Sequence, residues 1–336
     1  MKVIVDTAGD ILYKSFYVFG LEQLFGTKNV VFSNKPFLEM PEEMRFFNAI
    51  HFIVEKAVGR KRYVISLEDV HEINKELYDW CDVYGSVNAN FGMTPEQYRK
   101  KLVSLCPGFG IRCWSFPQTV VHAIEDYSAE LHSFRKWIGK HKRMYIRVPY
   151  SKYSNSSQIV DDHYVFMLST LWYSNEWNNN DEGVNARRAD FIRACRAADV
   201  VFEGGLVSQG KDRSSEQLFS DFLCKGMSAS EWLEKTKRSA LVFNTPAFWD
   251  CHGWKLGEYL ALGKAIVSTP LSNDLPAPLE HGKHIHIVEN SVESMKEAIE
   301  FIVKHPKYRM DLEKASCDYW ERYGTPIASL KLLGVE

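Results

Sequence analysis

The sequence predicts an α/β protein of two parallel-sheet domains with a cleft between them, and three observations carry that prediction. Short β-rich runs alternate with helical patterns over almost the whole chain, which implies βαβ units. At 336 residues the chain exceeds the roughly 250 to 300 residues that one core organises. A polar stretch rich in Ser, Asn and Tyr, KHKRMYIRVPYSKYSNSSQIVDD (140–162), interrupts the alternation and reads as a linker. The expected domains are therefore 1–150 and 151–322, with a tail at 323–336 packing back on the first.

In chain order, KVIVDTA (2–8) reads as a strand, followed by the helical LYKSFYVFGLEQLFG. NVVFS (29–33) is a second strand, and PEEMRFFNAIHFIVEKAVG (41–59) a long helix opened by proline. RYVISLED (62–69) is a third strand with HEINKELYDW after it. DVYGSVN, a TPEQYRKKLVSL helix, IRCWS and a long helix near 118–139 complete the first half. Past the linker come the strand HYVFMLSTLW, a helix near 183–198, the strand DVVFEGGL, a helix near 228–238 and the strand LVFNTP. SASEW carries a capping box, with Ser228 at the N-cap and Glu231 three places on. HIHIV, the amphipathic SVESMKEAIEFIVKHP and a final helix near 306–322 close the pattern.

Composition narrows the function classes. Hydrophobic content of 45% with 25% charge is that of an ordinary globular protein. The net charge of −2 supplies no bulk field for nucleic acid or an anionic membrane, and no nucleic acid is expected as a partner. No run of 18 apolar residues could span a bilayer, and MKVIVDTAGD lacks the pattern of a signal peptide. The seven cysteines are scattered without a CxxC pair, which points to reduced thiols in a cytoplasmic protein. Nine Trp and sixteen Tyr suit a carbohydrate or nucleotide cleft, and equally a large core.

The segment that concentrates chemistry is DCHGWKLGEYLALGKAIVSTP (250–270), a polar loop, an apolar helix and a β-branched strand. In open parallel sheets ligands bind outside the carboxyl ends of strands, and LVFNTP ends beside this loop. A helix beginning near Lys255 presents unsatisfied N–H groups there, suited to a diphosphate, and Lys255 adds a full positive charge. Glu258, one turn in, can accept two hydrogen bonds from a ribose diol. Gly253 lets backbone approach a ligand closely. The same residues also read blandly: a glutamate in a first turn complements the helix dipole, and the lysine is then solvated.

DCHGWKLGE resembles the E-x7-E element of nucleotide-sugar glycosyltransferases of GT-B architecture, which have two facing Rossmann-like domains. Asp250, Gly253 and Glu258 match its acidic residue, glycine and glutamate, and YLALGKAIVSTP its helix and strand. HGKHIHIVENSVESMKEAIEFIVKHP resembles the loop, short strand and helix that come next in that family, so the likeness covers about 240–322. The resemblance implies that Glu258 holds the donor ribose and that the loop 250–254, with Asp250, Gly253 and Trp254, lies beside sugar and diphosphate. Asp250, a shorter side chain, stands where the family usually has Glu. K-L-x6-G from Lys255 to Gly263 is also similar to the donor element of α1,3-fucosyltransferases, whose lysine meets the diphosphate.

Further donor-side candidates are Arg187 or Arg188, placed to pair a phosphate bidentately after the polar segment 169–188, or else surface helix arginines. Gly204 and Gly205 in FEGGL would form a floor for the base or diphosphate, or a tight turn. In the first domain, TAGD (7–10) is the expected cleft-facing loop. Asp69 or His71 is expected to take a proton from the acceptor hydroxyl, with the histidine better matched near neutral pH; a helix N-cap and a surface histidine are the alternatives. Asp82 and Asn88 read similarly. The basic run RKWIGKHKRMYIR (135–147) can touch a lipid-linked acceptor's phosphate or a membrane surface, or simply be a solvated helix end. No D-x-D lies between apolar strands, and DD (161–162) and NNNDE (178–182) have the wrong setting, so neither metal nor other cofactor is expected.

The expected function is thus a metal-independent glycosyltransferase, hexosyl- or fucosyl-type. It would take a UDP- or GDP-sugar and a glycan or lipid-linked acceptor, as in surface polysaccharide biosynthesis, in the cytoplasm or at the inner face of the membrane. A nucleotide-sugar 2-epimerase of the same architecture and a non-catalytic sugar-nucleotide binding protein are the alternatives, and the sequence sets no oligomeric state.

Overall fold

The computed structural model describes residues 1–57, 59–127, 134–154, 160–173, 181–210 and 213–336. The chain divides into two units: Met1–Lys152 with Asn273–Pro278 and Glu321–Glu336, and Tyr153–Ser272 with Leu279–Trp320. Both are α/β.

Unit 1 begins with β1 (Lys2–Val5), whose last three residues are buried. Asp10 caps α1 (Ile11–Phe25) by accepting from the amide of Leu12, and Gly26 ends it in a left-handed conformation. β2 (Val30–Phe32) then pairs parallel to β1.

The segment 41–59 corrects the expectation of one long helix. Only Glu42–Arg45 is helical (α2), and Ala49–Lys56 is a strand, β3, antiparallel to both β1 and β4 (Gly59–Ser66). Ala49 to Val54 are all buried, so the strand is covered on both faces and, His51 apart, reads as an apolar run. Such a run does not distinguish strand from helix by period. The sheet is consequently mixed rather than wholly parallel.

After β4 come α3 (Lys75–Trp80), capped by Asn74, and β5 (Val83–Ser86). The expected TPEQYRKKLVSL helix shrinks to α4 (Glu96–Arg99), and its apolar end becomes β6 (Leu102–Ser104). IRCWS is irregular. The strand order is β2-β1-β3-β4-β5-β6. The region near 118–139 holds α5 (Phe116–Tyr127) and α6 (Phe134–Tyr145), and residues 128–133 of that expectation lie outside the described residues. The expected linker opens inside α6, and its residues 155–159 likewise lie outside the described residues.

Unit 2 alternates regularly: β7 (Tyr164–Thr170), α7 (Asp181–Ala197), β8 (Val201–Val207), α8 (Arg213–Leu218) and α9 (Ala229–Arg238) come first. β9 (Val242–Asn244), α10 (Trp254–Ala261), β10 (Ile266–Ser268), β11 (His286–Ile287), α11 (Val292–Lys304) and α12 (Pro306–Tyr319) complete it. Ser228 caps α9 as its capping box requires. β7 pairs parallel with β8, and β9, β10 and β11 pair parallel with one another. The two groups meet where the Ala240 amide donates to the Tyr164 carbonyl (2.7 Å) and the Phe166 amide to Ser239 Oγ (2.8 Å). The strands therefore take the order β8-β7-β9-β10-β11, which reverses direction between β7 and β9. Lys264, fully buried, donates its amine to the Lys237 carbonyl and so closes the end of α9 (2.9 Å).

The last helix, α13 (Pro326–Leu332), is part of unit 1 and lies on α1. Their close approach explains Gly20, where a Cβ would sit 2.9 Å from both the Pro326 carbonyl and Leu330 Cδ1.

Candidate functional site

The strand order of unit 2 reverses between β7 and β9, and parallel α/β sheets take ligands at the carboxyl ends of strands at such a point. The two loops there are tied together. Trp172, after β7, meets Phe248, after β9, edge to face at 4.6 Å. Asn185 on α7 holds the Trp172 backbone at both its amide (3.2 Å) and its carbonyl (2.8 Å). Thr269 donates to Thr245 Oγ1 (2.9 Å), which also accepts from Arg187 Nε (2.8 Å).

The loop 245–253 carries backbone strain. Trp249 and Asp250 have φ of 47° and 57°, the chain's non-glycine residues in the left-handed region among those described. For a bulky residue such as tryptophan this costs on the order of 1–3 kcal/mol, and strain of this kind clusters at ligand sites. α10 begins at Trp254 with Gly253, which has no side chain to offer, as N-cap. The helix start expected near Lys255 is confirmed to one residue.

Three cations gather beneath this loop. Arg187, half-buried, donates to Thr245 Oγ1 and to the Pro246 carbonyl (3.2 Å). Arg188 is buried and donates to the Thr170 carbonyl at the end of β7 (2.9 Å). Lys255, half-buried, lies over the rings of Trp232 (4.7 Å) and Tyr259 (5.9 Å). Among the described residues none of the three has a carboxylate within 4 Å. Burial lowers the Arg187 pKa, with Asp250 acting against it. Burial brings Arg188 to about 10 and Lys255 to about 8; Glu258 holds Lys255 up and Arg188 pushes it down. Glu258, on the same face of α10, accepts a hydrogen bond from the buried Tyr153 hydroxyl (3.2 Å).

Other candidates fall elsewhere. Gly204 and Gly205 are not at a strand end: they lie inside β8, paired with Met167 and Leu168. Both have positive φ, and a Cβ would come within 1.9 Å of the Met167 carbonyl oxygen or 2.4 Å of Phe222's. Close packing, not a ligand, explains them. Arg188 is spent on the end of β7, which leaves Arg187 the more open guanidinium. The polar segment 174–180, with the asparagines 178–180 of NNNDE, lies outside the described residues.

In unit 1, Asp69 is exposed and His71 half-buried in the loop after β4, where His71 Nε2 reaches Glu72 at 4.0 Å. Neither caps α3, since Asn74 does. Asp82 lies before β5, at its amino end, and accepts from the Arg62 amide (2.8 Å), so it is not at a carboxyl edge. Asn88 is buried, donating to the Glu68 carbonyl (2.7 Å). The TAGD loop sits above a buried ion cluster. Arg45 grips Asp6 with two nitrogens (2.9 and 3.2 Å), Lys14 donates to the Ala8 carbonyl, and His51 lies 3.8 Å from Asp6. No group of three His, Cys, Asp or Glu side chains suited to a metal occurs among the described residues.

Sequence reasoning missed Tyr153, Asn185, Trp172 and Thr245. Only the threonine carried a local signal, its place at the end of a strand before proline.

No protein-family model matches the chain, and no curated protein matches its sequence. Among solved structures it is similar to Anabaena HepE in complex with UDP, at 9% identity over 98% of this chain and 97% of that one, with a TM-score of 0.49. It is also similar to a glycosyltransferase from Rickettsia africae, at 10% identity over 79% of this chain, with a TM-score of 0.41. TarM matches at 11% identity over 95% of this chain, with a TM-score of 0.45. The chain spans 65% of the Rickettsia protein's length and 57% of TarM's.

Proposed function

We propose that this chain is a GT-B-type glycosyltransferase that moves a sugar from a nucleoside diphosphate donor to a hydroxyl of a glycan or lipid-linked acceptor, as in surface polysaccharide assembly. The observation that carries the reading is the unmatched charge at the carboxyl ends of β7 and β9: three cations, each with a lowered pKa, and among the described residues no carboxylate in contact with them. An anionic ligand would relieve that imbalance, and the start of α10, with a glycine at its N-cap, lies at the same place.

In this reading Arg187, Lys255 and the first turn of α10 receive the diphosphate, and they stabilise the charge that develops as the sugar–phosphate bond breaks. Glu258 takes the ribose diol, oriented by Tyr153. Asp250, held in a left-handed conformation at the loop tip, lies toward the donor sugar. Lys255 approaches that task from an aromatic cradle rather than from open solvent, which keeps its charge poorly hydrated and strong toward phosphate. Unit 1 supplies the acceptor side, with Asp69 or His71 as base. The donor is a UDP- or GDP-sugar, no metal is required, and the reaction belongs to the cytoplasm.

The test is thermal shift and calorimetry with UDP, GDP, CMP and their sugars. Stabilisation by UDP or GDP, weakened on the order of tenfold or more in Glu258→Ala, supports the reading. A protein that binds no nucleoside diphosphate, or whose affinity survives Glu258→Ala, overturns it.

A further inference from the structure

We infer that the helix pair α5–α6 of unit 1 is a docking surface for an anionic lipid bilayer. Phe116, Val120 and Ile124 succeed one another at four-residue intervals along α5, with Val121 beside them, and all four side chains face solvent. Phe116 is 62% and Ile124 63% exposed, values unusual for side chains of this size. Ile138 on α6 and Ile146, the residue just past its end, are exposed eight positions apart, and exposed Lys142 lies midway between them.

The two helices lie side by side and antiparallel. Trp137 Nε1 donates to the Ala123 carbonyl (2.6 Å), and the rings of Phe116 and Tyr145 meet edge to face at 5.7 Å. These contacts bring Ile124 to the Ile138 end of α6 and Phe116 to the Ile146 end, so the exposed apolar residues form two adjacent rows. The pair's core is made by other residues: Thr119 and Ala123 are buried on α5, His141 and Met144 on α6, and α6 packs against α1. The outward rows are therefore surplus to folding.

Charge selects the occupant. Beside the apolar rows stand Lys142 and Arg143, both exposed, with Lys140 and Arg147 half-buried. Arg143 already pairs with Asp10, Glu125 is hydrogen-bonded by His122 (3.1 Å), and Lys142 stands exposed on the face. Apolar tips flanked by cations match the boundary between acyl chains and phosphate headgroups, where lysine stems run along the apolar surface and their ammonium groups reach phosphate. A second copy of the chain docking symmetrically through this face would set these cations against their own images, which disfavours self-association. The chain's overall charge of −2 shows that the effect is local.

The surface is independent of the donor site, and its test reads no sugar transfer. Co-sedimentation of the full chain would use vesicles of neutral phosphatidylcholine and vesicles with about one third phosphatidylglycerol, at low and high salt. Expected is binding to the anionic vesicles that weakens with salt. Val121→Glu with Ile124→Glu should abolish it, and Lys142→Glu should reduce it on the order of tenfold. These positions are exposed, and an unchanged melting temperature shows that the variants fold. Equal binding to both vesicle types, no binding to either, or a dimer in solution dispersed by Ile124→Glu each overturns the proposal.

Discussion

Each unit gathers cations at the carboxyl end of its first strand, and the two clusters are built on opposite principles. Beyond β1, Arg45 holds Asp6 bidentately and Lys14 donates to a backbone carbonyl. Burial alone would raise the Asp6 pKa, but His51, Arg45 and Lys14 bring it below its ordinary value. His51 is driven the other way, toward the neutral form, chiefly by burial. Beyond β7 and β9, by contrast, Arg187 and Arg188 donate to a threonine hydroxyl and to carbonyls, and Lys255 rests on aromatic rings. Carbonyls and rings orient a cation without cancelling its charge. A matched cluster is thus a fastening, whereas an unmatched one leaves charge that the proposed diphosphate would cancel.

The contrast breaks most readily at Asp6. Asp6→Ala strands Arg45 and Lys14 in a buried site, and should cost about 3–5 kcal/mol in urea-denaturation midpoints. A loss under about 1 kcal/mol would mean the cluster is not a fastening. Arg187→Met should do the reverse: nucleoside diphosphate affinity falls on the order of 10- to 100-fold by calorimetry, while the melting temperature stays level or rises because an uncompensated charge is gone.

Titration sharpens the comparison next. Lys255 has a pKa of about 8 in the free protein, so raising the pH through 8 removes the charge a diphosphate needs. Affinity should then fall by up to about tenfold per pH unit, and Lys255→Met should flatten that dependence. Because the folded pKa lies below the ordinary 10.5, stability itself rises with pH between about 8 and 10.5. The smallest effect belongs to His51. Its folded pKa lies below 6.5, so the stability of its neutral form is lost as pH falls from 6.5 toward the lowered value. Asp6 adds a second loss below 3.8, since its folded pKa is depressed. His51→Leu should remove the first step and leave the second, as monitored by acid unfolding.

Legibility in the sequence differed between the units for a physical reason. Unit 2 alternates strand and helix with capped helix starts, and Ser228, Ser291 and Pro306 mark three of them within a residue. Unit 1 contains β3, whose apolar residues face core on both sides and therefore show no period of two. Its pairing with β4 depends on residues on another strand. The loop, helix and strand of 250–270 were legible as an order of residue types, and α10 starts within a residue of the expected place. The glycines of β8 were not, because a GG pair does not reveal whether a carbonyl or a ligand crowds it.

By itself, the sequence determined the alternation of elements, most helix boundaries of unit 2 and the loop–helix–strand order of 250–270, since caps, periods and residue order act over a few positions. Only the tertiary structure decided which charges are cancelled. Asp6 and Arg45 stand 39 positions apart, and Tyr153 lies 105 from Glu258. Whether a buried cation meets a carboxylate, a carbonyl or a ring depends on distances that folding alone sets, and electrostatic energy in a low dielectric turns on those distances.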